Sequence, residues 1–122
     1  MSHLAREDGK QVYYEDYGSG DSAIVLVHGW GANTRAWDYT LPALVAAGHR
    51  VVLIDHRGCG QSSKDFADVS IEAISGDVVA LVEHLKLSRV VLNGWSLGGA
   101  VVVAAAVALG ERCRGLVLTC GA

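Results

Sequence analysis

Apolar positions along the chain fall into two kinds of pattern. Continuous runs lie at residues 23–27 (Ala-Ile-Val-Leu-Val), 51–54 (Val-Val-Leu-Ile) and 90–92 (Val-Val-Leu), and another lies within residues 114–120. Short runs without polar alternation predict strands covered on both faces. Elsewhere the apolar residues recur at helical spacing. Ile71, Ile74, Val78, Val82 and Leu85 mark the inward face of an amphipathic helix, with Ser70 as its N-cap. A second helical stretch is expected over residues 34–47, with Trp37, Leu41, Leu44 and Val45 on one side and Gly48 as its stop. Pro42 belongs in a first turn, so this stretch should break and restart near Tyr39 and Thr40. At the amino-terminal end, residues 4–6 and 11–17 flank Asp8-Gly9, a hairpin signal that predicts an antiparallel pair. Strands alternating with helices imply a mostly parallel sheet wound on both faces, an α/β three-layer sandwich with an antiparallel amino-terminal hairpin. No internal repeat, low-complexity tract or linker divides it.

One stretch organises the rest. Residues 89–99 (Arg-Val-Val-Leu-Asn-Gly-Trp-Ser-Leu-Gly-Gly) run directly into the apolar residues 100–109 and predict a buried strand, an abrupt turn at Ser96 and a helix. Within them Gly94-Trp-Ser-Leu-Gly98 is a G-x-S-x-G pattern in strand–turn–helix context. A serine exposed at the carboxyl end of a buried strand requires the chain to reverse within very few residues. That reversal holds Ser96 in a sparsely populated conformation and brings residues 94 and 98 together, where a β-carbon would clash. The helix N-terminus behind Ser96 favours a developing negative charge. Ser96 is therefore the candidate nucleophile. The N–H of Leu97 is the first donor for an oxyanion, and the loop at His28-Gly29-Trp30 is placed to supply the second through the Trp30 N–H.

With these residues the chain resembles the amino-terminal part of an α/β-hydrolase. His28-Gly-Trp-Gly31, Trp37, Asp55-x-Arg-Gly-x-Gly-x-Ser62 and Gly94-Trp-Ser-Leu-Gly-Gly99 stand in that family's order and spacing. The Gly-Trp-Ser-Leu-Gly-Gly form is similar to carboxylesterases of the pimeloyl carrier-protein methyl ester esterase type, and aryl esterases and cofactor-free haloperoxidases share much of the pattern. The resemblance implies a serine hydrolase acting on a small-molecule ester, with Ser96 acylated and with Trp30 and Leu97 forming the oxyanion hole. No metal or organic cofactor is implied. The family's acid and histidine follow later in the chain, and only Gly121 and Ala122 lie beyond Cys120. The core is thus expected to be incomplete at its carboxy-terminal side, and the chain alone nearly inactive. Rival readings are a non-catalytic half needing a partner chain, and an α/β binding module. The last strand, residues 116–120, should be an open apolar edge capable of self-association.

Of the five histidines, His3 and His49 read as strand-start surface residues and His84 as a polar-face helix residue. His28 reads as a strand-end residue tied into local hydrogen bonds. His56 is the only tempting base for Ser96, but the resemblance makes its loop structural, with Asp55 and Arg57 tying the turn. Gly58-Cys-Gly-Gln-Ser-Ser63 approaches a dinucleotide-binding pattern, yet its third glycine is Ser63 and no helix follows until about Ser70.

Composition narrows the picture further. The 122 residues are 51% hydrophobic, enough for a core though short for an α/β enzyme. A net charge of −3 without a basic run argues against nucleic acid or an anionic membrane as partner. The first residues lack the apolar core of a signal peptide, and residues 100–109 are too few to span a bilayer. Cys59, Cys113 and Cys120 lack metal-ligand spacing, read as small apolar fillers, and fit a reducing cytoplasm.

Overall fold

A computed structural model describes residues 2–119, and in it six strands form one sheet. In chain order the strands are β1 (Ser2–Ala5), β2 (Gln11–Tyr17), β3 (Ser22–Val27), β4 (Val51–Ile54), β5 (Arg89–Trp95) and β6 (Cys113–Thr119). Three helices accompany them: α1 (Leu41–Ala46), α2 (Ile71–His84) and α3 (Leu97–Leu109). The spatial order is β1-β2-β4-β3-β5-β6. The first two strands run antiparallel to their neighbours, whereas β3, β4, β5 and β6 are mutually parallel. This is the mostly parallel α/β sheet with an amino-terminal hairpin that the pattern predicts. The hairpin turns through Asp8 and Gly9 at φ 58° and 72°, the left-handed region that glycine adopts freely and aspartate tolerates.

Two clusters of buried side chains lie on opposite faces of the sheet. The larger packs Val12, Val25, Val27, Val52, Ile54, Val90 and Leu92 against Ile74, Val78, Leu81 and Val82 of α2 and Val101, Val102 and Ala105 of α3. On the other face Leu26, Val51 and Leu53 meet Trp37, with Leu41, Leu44 and Trp95 packed beside them. Between these faces β4 is apolar and buried at every position and β3 is apolar from Ala23 to Val27, as double coverage requires. Ser70 caps α2 as expected, its hydroxyl accepting from the Ala73 N–H at 3.1 Å. The stretch from residue 34 breaks where Pro42 dictates, into a 3-10 turn at Thr34–Trp37 and the short α1. One expectation there fails. Val45 faces solvent because α1 is too short to turn a third residue onto the sheet.

The sheet ends on an open edge. Leu116, Val117 and Leu118 of β6 are exposed, and on the neighbouring α3 Val107 is 81% exposed. Helix α3 is apolar on nearly every side, so the face turned away from the sheet and α2 is uncovered. Cys59 is buried and free, Cys113 is free and half-buried, and Cys120 lies outside the described residues. Among the described residues no helix is long and apolar enough to cross a membrane.

Candidate active site

The β5–α3 junction is built by sterics. Ser96 sits between them at φ 56°, ψ −119°, a conformation that L-residues rarely adopt. A β-carbon on Gly94 would lie 2.1 Å from the carbonyl oxygen of Gly98, and one on Gly98 would lie 2.3 Å from the carbonyl oxygen of Val27. Neither distance is tolerable against backbone, so the spacing of the two glycines around Ser96 is a requirement of the turn. Two hydrogen bonds hold it: the Ser96 N–H donates to the Thr119 carbonyl at 3.1 Å and the Gly99 N–H to the Ser96 carbonyl at 2.9 Å. The Ser96 hydroxyl makes no capping bond to α3.

The loop leaving β3 packs directly against this turn. A β-carbon on Gly29 would stand 3.2 Å from Cβ of Ser96 and 3.2 Å from the Trp95 ring. Glycine lets the chain approach this closely without displacing the serine or the ring before it continues to Trp30, which is 58% exposed. Among the described residues, the amides of Trp30 and Leu97 donate to no other group. The structure therefore brings the Gly29 loop and Ser96 together at the carboxyl end of the sheet, with Leu97 opening α3 beside them.

Two histidines lie beneath the loop, with ring centroids 4.2 Å apart. The His56 N–H donates to His28 Nε2 at 3.0 Å, and His56 Nε2 donates to the His28 carbonyl at 2.7 Å. His28 Nδ1 donates to the Gly29 carbonyl at 2.6 Å. Both rings are buried. Burial pushes the His28 pKa down despite the Gly29 carbonyl and the nearby Asp55 carboxylate. Burial, reinforced by His28, brings His56 down to about 3. Among the described residues the His56 ring thus bonds to His28 and not to Ser96. His3, His49 and His84 are exposed.

The loop after β4 is structural, as the resemblance implies. Asp55 accepts from the Thr34 N–H at 2.7 Å and the Gln61 N–H at 2.8 Å. A β-carbon on Gly60 would lie 2.1 Å from the Asp55 carboxylate, so this glycine admits a side chain of the protein rather than a phosphate. Arg57 is sealed between Asp77 (2.6 and 2.8 Å) and Glu7 (2.8 and 3.2 Å), over the Phe66 ring. The Asp77 hydrogen bonds outweigh burial and hold the guanidinium well above its ordinary pKa.

Two buried carboxylates escaped the sequence reading. Glu15 accepts from Tyr13, Tyr17, Thr34 and Arg35 at 2.7 to 3.0 Å. Burial raises its pKa, but these bonds and the Arg35 charge together bring it below the ordinary carboxylate value. The strand period places Tyr13, Glu15 and Tyr17 on one face, and the helix period places Asp77 inward between Ile74 and Leu81. Each was a polar residue in a buried phase, the signal that could have identified it. Among the described residues no group of three or more His, Cys, Asp or Glu is placed to hold a metal ion. A cleft of about 500 Å³ lies at the opposite end of the parallel strands, lined by Asp21, Arg50, Arg89 and Arg114. It is remote from Ser96.

Comparison with known proteins adds to this geometry. The family described as the alpha/beta hydrolase fold matches residues 22–122. A non-heme haloperoxidase of Rhodococcus erythropolis is 37% identical over 102 residues, which cover 84% of this chain and 37% of that protein. Among solved structures, a bromoperoxidase from Bacillus anthracis superposes with a TM-score of 0.89 at 35% identity, over 98% of this chain and 45% of the other. An esterase from Exiguobacterium antarcticum gives 0.90 at 30% identity, over the same shares. The chain spans less than half the length of these relatives.

Proposed function

The chain belongs to the alpha/beta hydrolase fold family, and from that premise we propose that it carries the nucleophile and oxyanion hole of a serine hydrolase acting on an ester or related acyl bond. The observation that supports this most is the backbone of Ser96 at φ 56°, ψ −119°, between β5 and α3. A strained serine whose hydroxyl has no partner among the described residues, abutting a loop with an amide unused among them, is the arrangement acyl transfer needs. Ser96 Oγ attacks the acyl carbonyl as a histidine takes its proton. The oxyanion is received by the N–H groups of Trp30 and Leu97, each donor contributing about 3–4 kcal/mol in comparable sites. Collapse of the intermediate expels the alcohol, which takes the proton from the histidine. Water then cleaves the acyl-serine, releasing the acid and restoring the hydroxyl.

Among the described residues no histidine hydrogen-bonds to Ser96. The proton-accepting histidine and its carboxylate are supplied by the remaining part of the fold, and without them kcat falls by about 10⁶. The exposed β6 edge favours one variation, a half-domain that becomes active when a partner chain adds those residues. The substrate is a small ester. The free Cys59 and Cys113 are in keeping with a reducing compartment, the cytoplasm.

The test is labelling by a fluorophosphonate, read by mass spectrometry. The chain is compared alone, mixed with the carboxy-terminal portion of the Exiguobacterium antarcticum esterase, and fused to it. Labelling at Ser96 that needs the added portion and vanishes in Ser96→Ala supports the reading. A folded fusion that never labels points to a non-hydrolytic binding module and overturns it.

A further inference from the structure

The buried histidines do more than fill space. A carbonyl oxygen only accepts, so the two ring nitrogens that face carbonyls each carry hydrogen: Nδ1 of His28, against Gly29, and Nε2 of His56, against His28. His28 Nε2 is bare, because it accepts the His56 N–H. One nitrogen remains. His56 Nδ1 is buried without a hydrogen-bond partner among the described residues. Three of the four ring nitrogens are thus assigned by their partners, and at the fourth, His56 Nδ1, burial disfavours a second proton, so both rings are neutral.

From this we propose that His28 and His56 are positioning residues, a tautomer-locked pair that holds Gly29 and Trp30 against Ser96 and lets them go when either ring takes a proton. A proton added to His28 enters at Nε2 and evicts the His56 N–H. One added to His56 enters at Nδ1, where no acceptor receives it and the other ring lies 4.2 Å away. The charged group facing His28 is Asp55, at the end of β4, and the titratable group facing His56 is His28. The Asp55 carboxylate is already engaged by the Thr34 and Gln61 amides, so it is poorly placed to stabilise an imidazolium. Burial lowers the pKa of both rings, that of His56 to about 3.

The consequence reaches the serine through two contacts. Gly29, whose carbonyl is tied to His28, lies against Ser96. The His28 carbonyl, tied to His56, lies against Gly98, where an added β-carbon would be 2.9 Å away. Loss of the pair therefore frees the loop and loosens the first turn of α3 together. The inference deepens the proposed hydrolase reading, since it names what sets the oxyanion donor in place.

Two measurements test it separately from that reading. Long-range ¹H–¹⁵N correlation spectra of the intact chain should show the Nδ1–H tautomer at His28 and the Nε2–H tautomer at His56. On acidification the Trp30 amide resonance should move in step with protonation of the pair. The opposite tautomer on either ring, or a Trp30 amide indifferent to that protonation, overturns the proposal whether or not Ser96 ever labels. In the fused enzyme, His56→Phe removes the donor to the His28 carbonyl and should slow Ser96 labelling roughly tenfold, the worth of one such bond. His56→Gln restores an N–H donor, should recover most of that rate, and should shift the acid limb of the labelling profile. A Phe variant that labels at the parent rate with the parent pH profile removes the positioning role while leaving the hydrolase reading intact.

Discussion

The strain at Ser96 can be measured by removing it. A non-glycine residue at φ 56°, ψ −119° costs about 1–3 kcal/mol relative to ordinary backbone. Glycine at this position relieves the strain but adds about 0.5–1 kcal/mol of unfolded-state entropy. The hydroxyl makes no bond to the helix it precedes, so its loss costs little. Ser96→Gly should therefore stabilise the chain by on the order of 1 kcal/mol, a rise in Tm of about 4 °C at this length. Ser96→Ala is the matched control. It deletes the same hydroxyl but keeps the β-carbon, hence the strain, and should leave Tm near that of the parent. Thermal unfolding followed by circular dichroism reads the difference between the two variants. In the fused enzyme both should abolish fluorophosphonate labelling, so the stabilised variant should be the inactive one, as expected where strain serves chemistry. A glycine variant no more stable than the alanine variant would mean that the turn is relaxed, and the argument from backbone strain to a reactive serine would fail.

Other expectations follow from contacts at known distances. Gly98→Ala sets a methyl group 2.3 Å from the Val27 carbonyl, so at least about 3 kcal/mol of destabilisation, at the upper end of overpacking, should appear in urea melts. Asp77→Asn breaks a pair in which both side chains are 1% exposed and should cost about 3–5 kcal/mol. Asp21→Asn, at an exposed pair 3.9 Å apart, should cost under about 1 kcal/mol by the same melts. For pH, His56 has a folded pKa lowered from 6.5 to about 3, so the unfolded chain binds more protons and stability falls as pH drops through that window. The slope is about 1.4 kcal/mol per pH unit for this histidine. Glu15, also lowered from its ordinary 4.5, adds stability above that value that is lost as pH falls below it; Glu15→Gln should flatten only this lower segment of the stability profile. The exposed Leu116, Val117 and Leu118 edge should give concentration-dependent association in sedimentation velocity, weakened by Leu118→Lys.

Most of the fold was legible because its causes are local. A double-sided strand announces itself as an apolar run, α2 as a period of 3.6 after Ser70, and the hairpin as Asp8-Gly9. The same holds for Gly94 and Gly98, whose spacing follows from the turn between them. What escaped were interactions whose partners are distant in the chain. Glu15 meets Thr34 and Arg35, and Arg57 meets Asp77 and Glu7. A single inward-phase carboxylate in sequence does not reveal which cation or hydroxyl will fold over it. Gly29 was half legible. Its freedom to bend could be read, but its contact with Ser96 exists only once β3 and β5 pair.

That pairing explains how a conformation this unfavourable persists. Strain of one to a few kcal/mol survives only where surrounding contacts over-determine it. Around Ser96 those contacts come from three strands: the Val27 and His28 carbonyls of the β3 end press on Gly98, β5 delivers the chain through Gly94, and Thr119 of β6 accepts the Ser96 N–H. The histidine pair fixes the first of these and ordinary sheet hydrogen bonds the second. The third depends on an edge strand with solvent beyond it. The state of β6 therefore matters to the serine, because fraying of that edge removes one of the three restraints holding Ser96 in this conformation. On the proposed reading of Ser96 as nucleophile, a strand laid against β6 would serve the serine by holding its backbone bent, as a histidine would serve it by taking its proton.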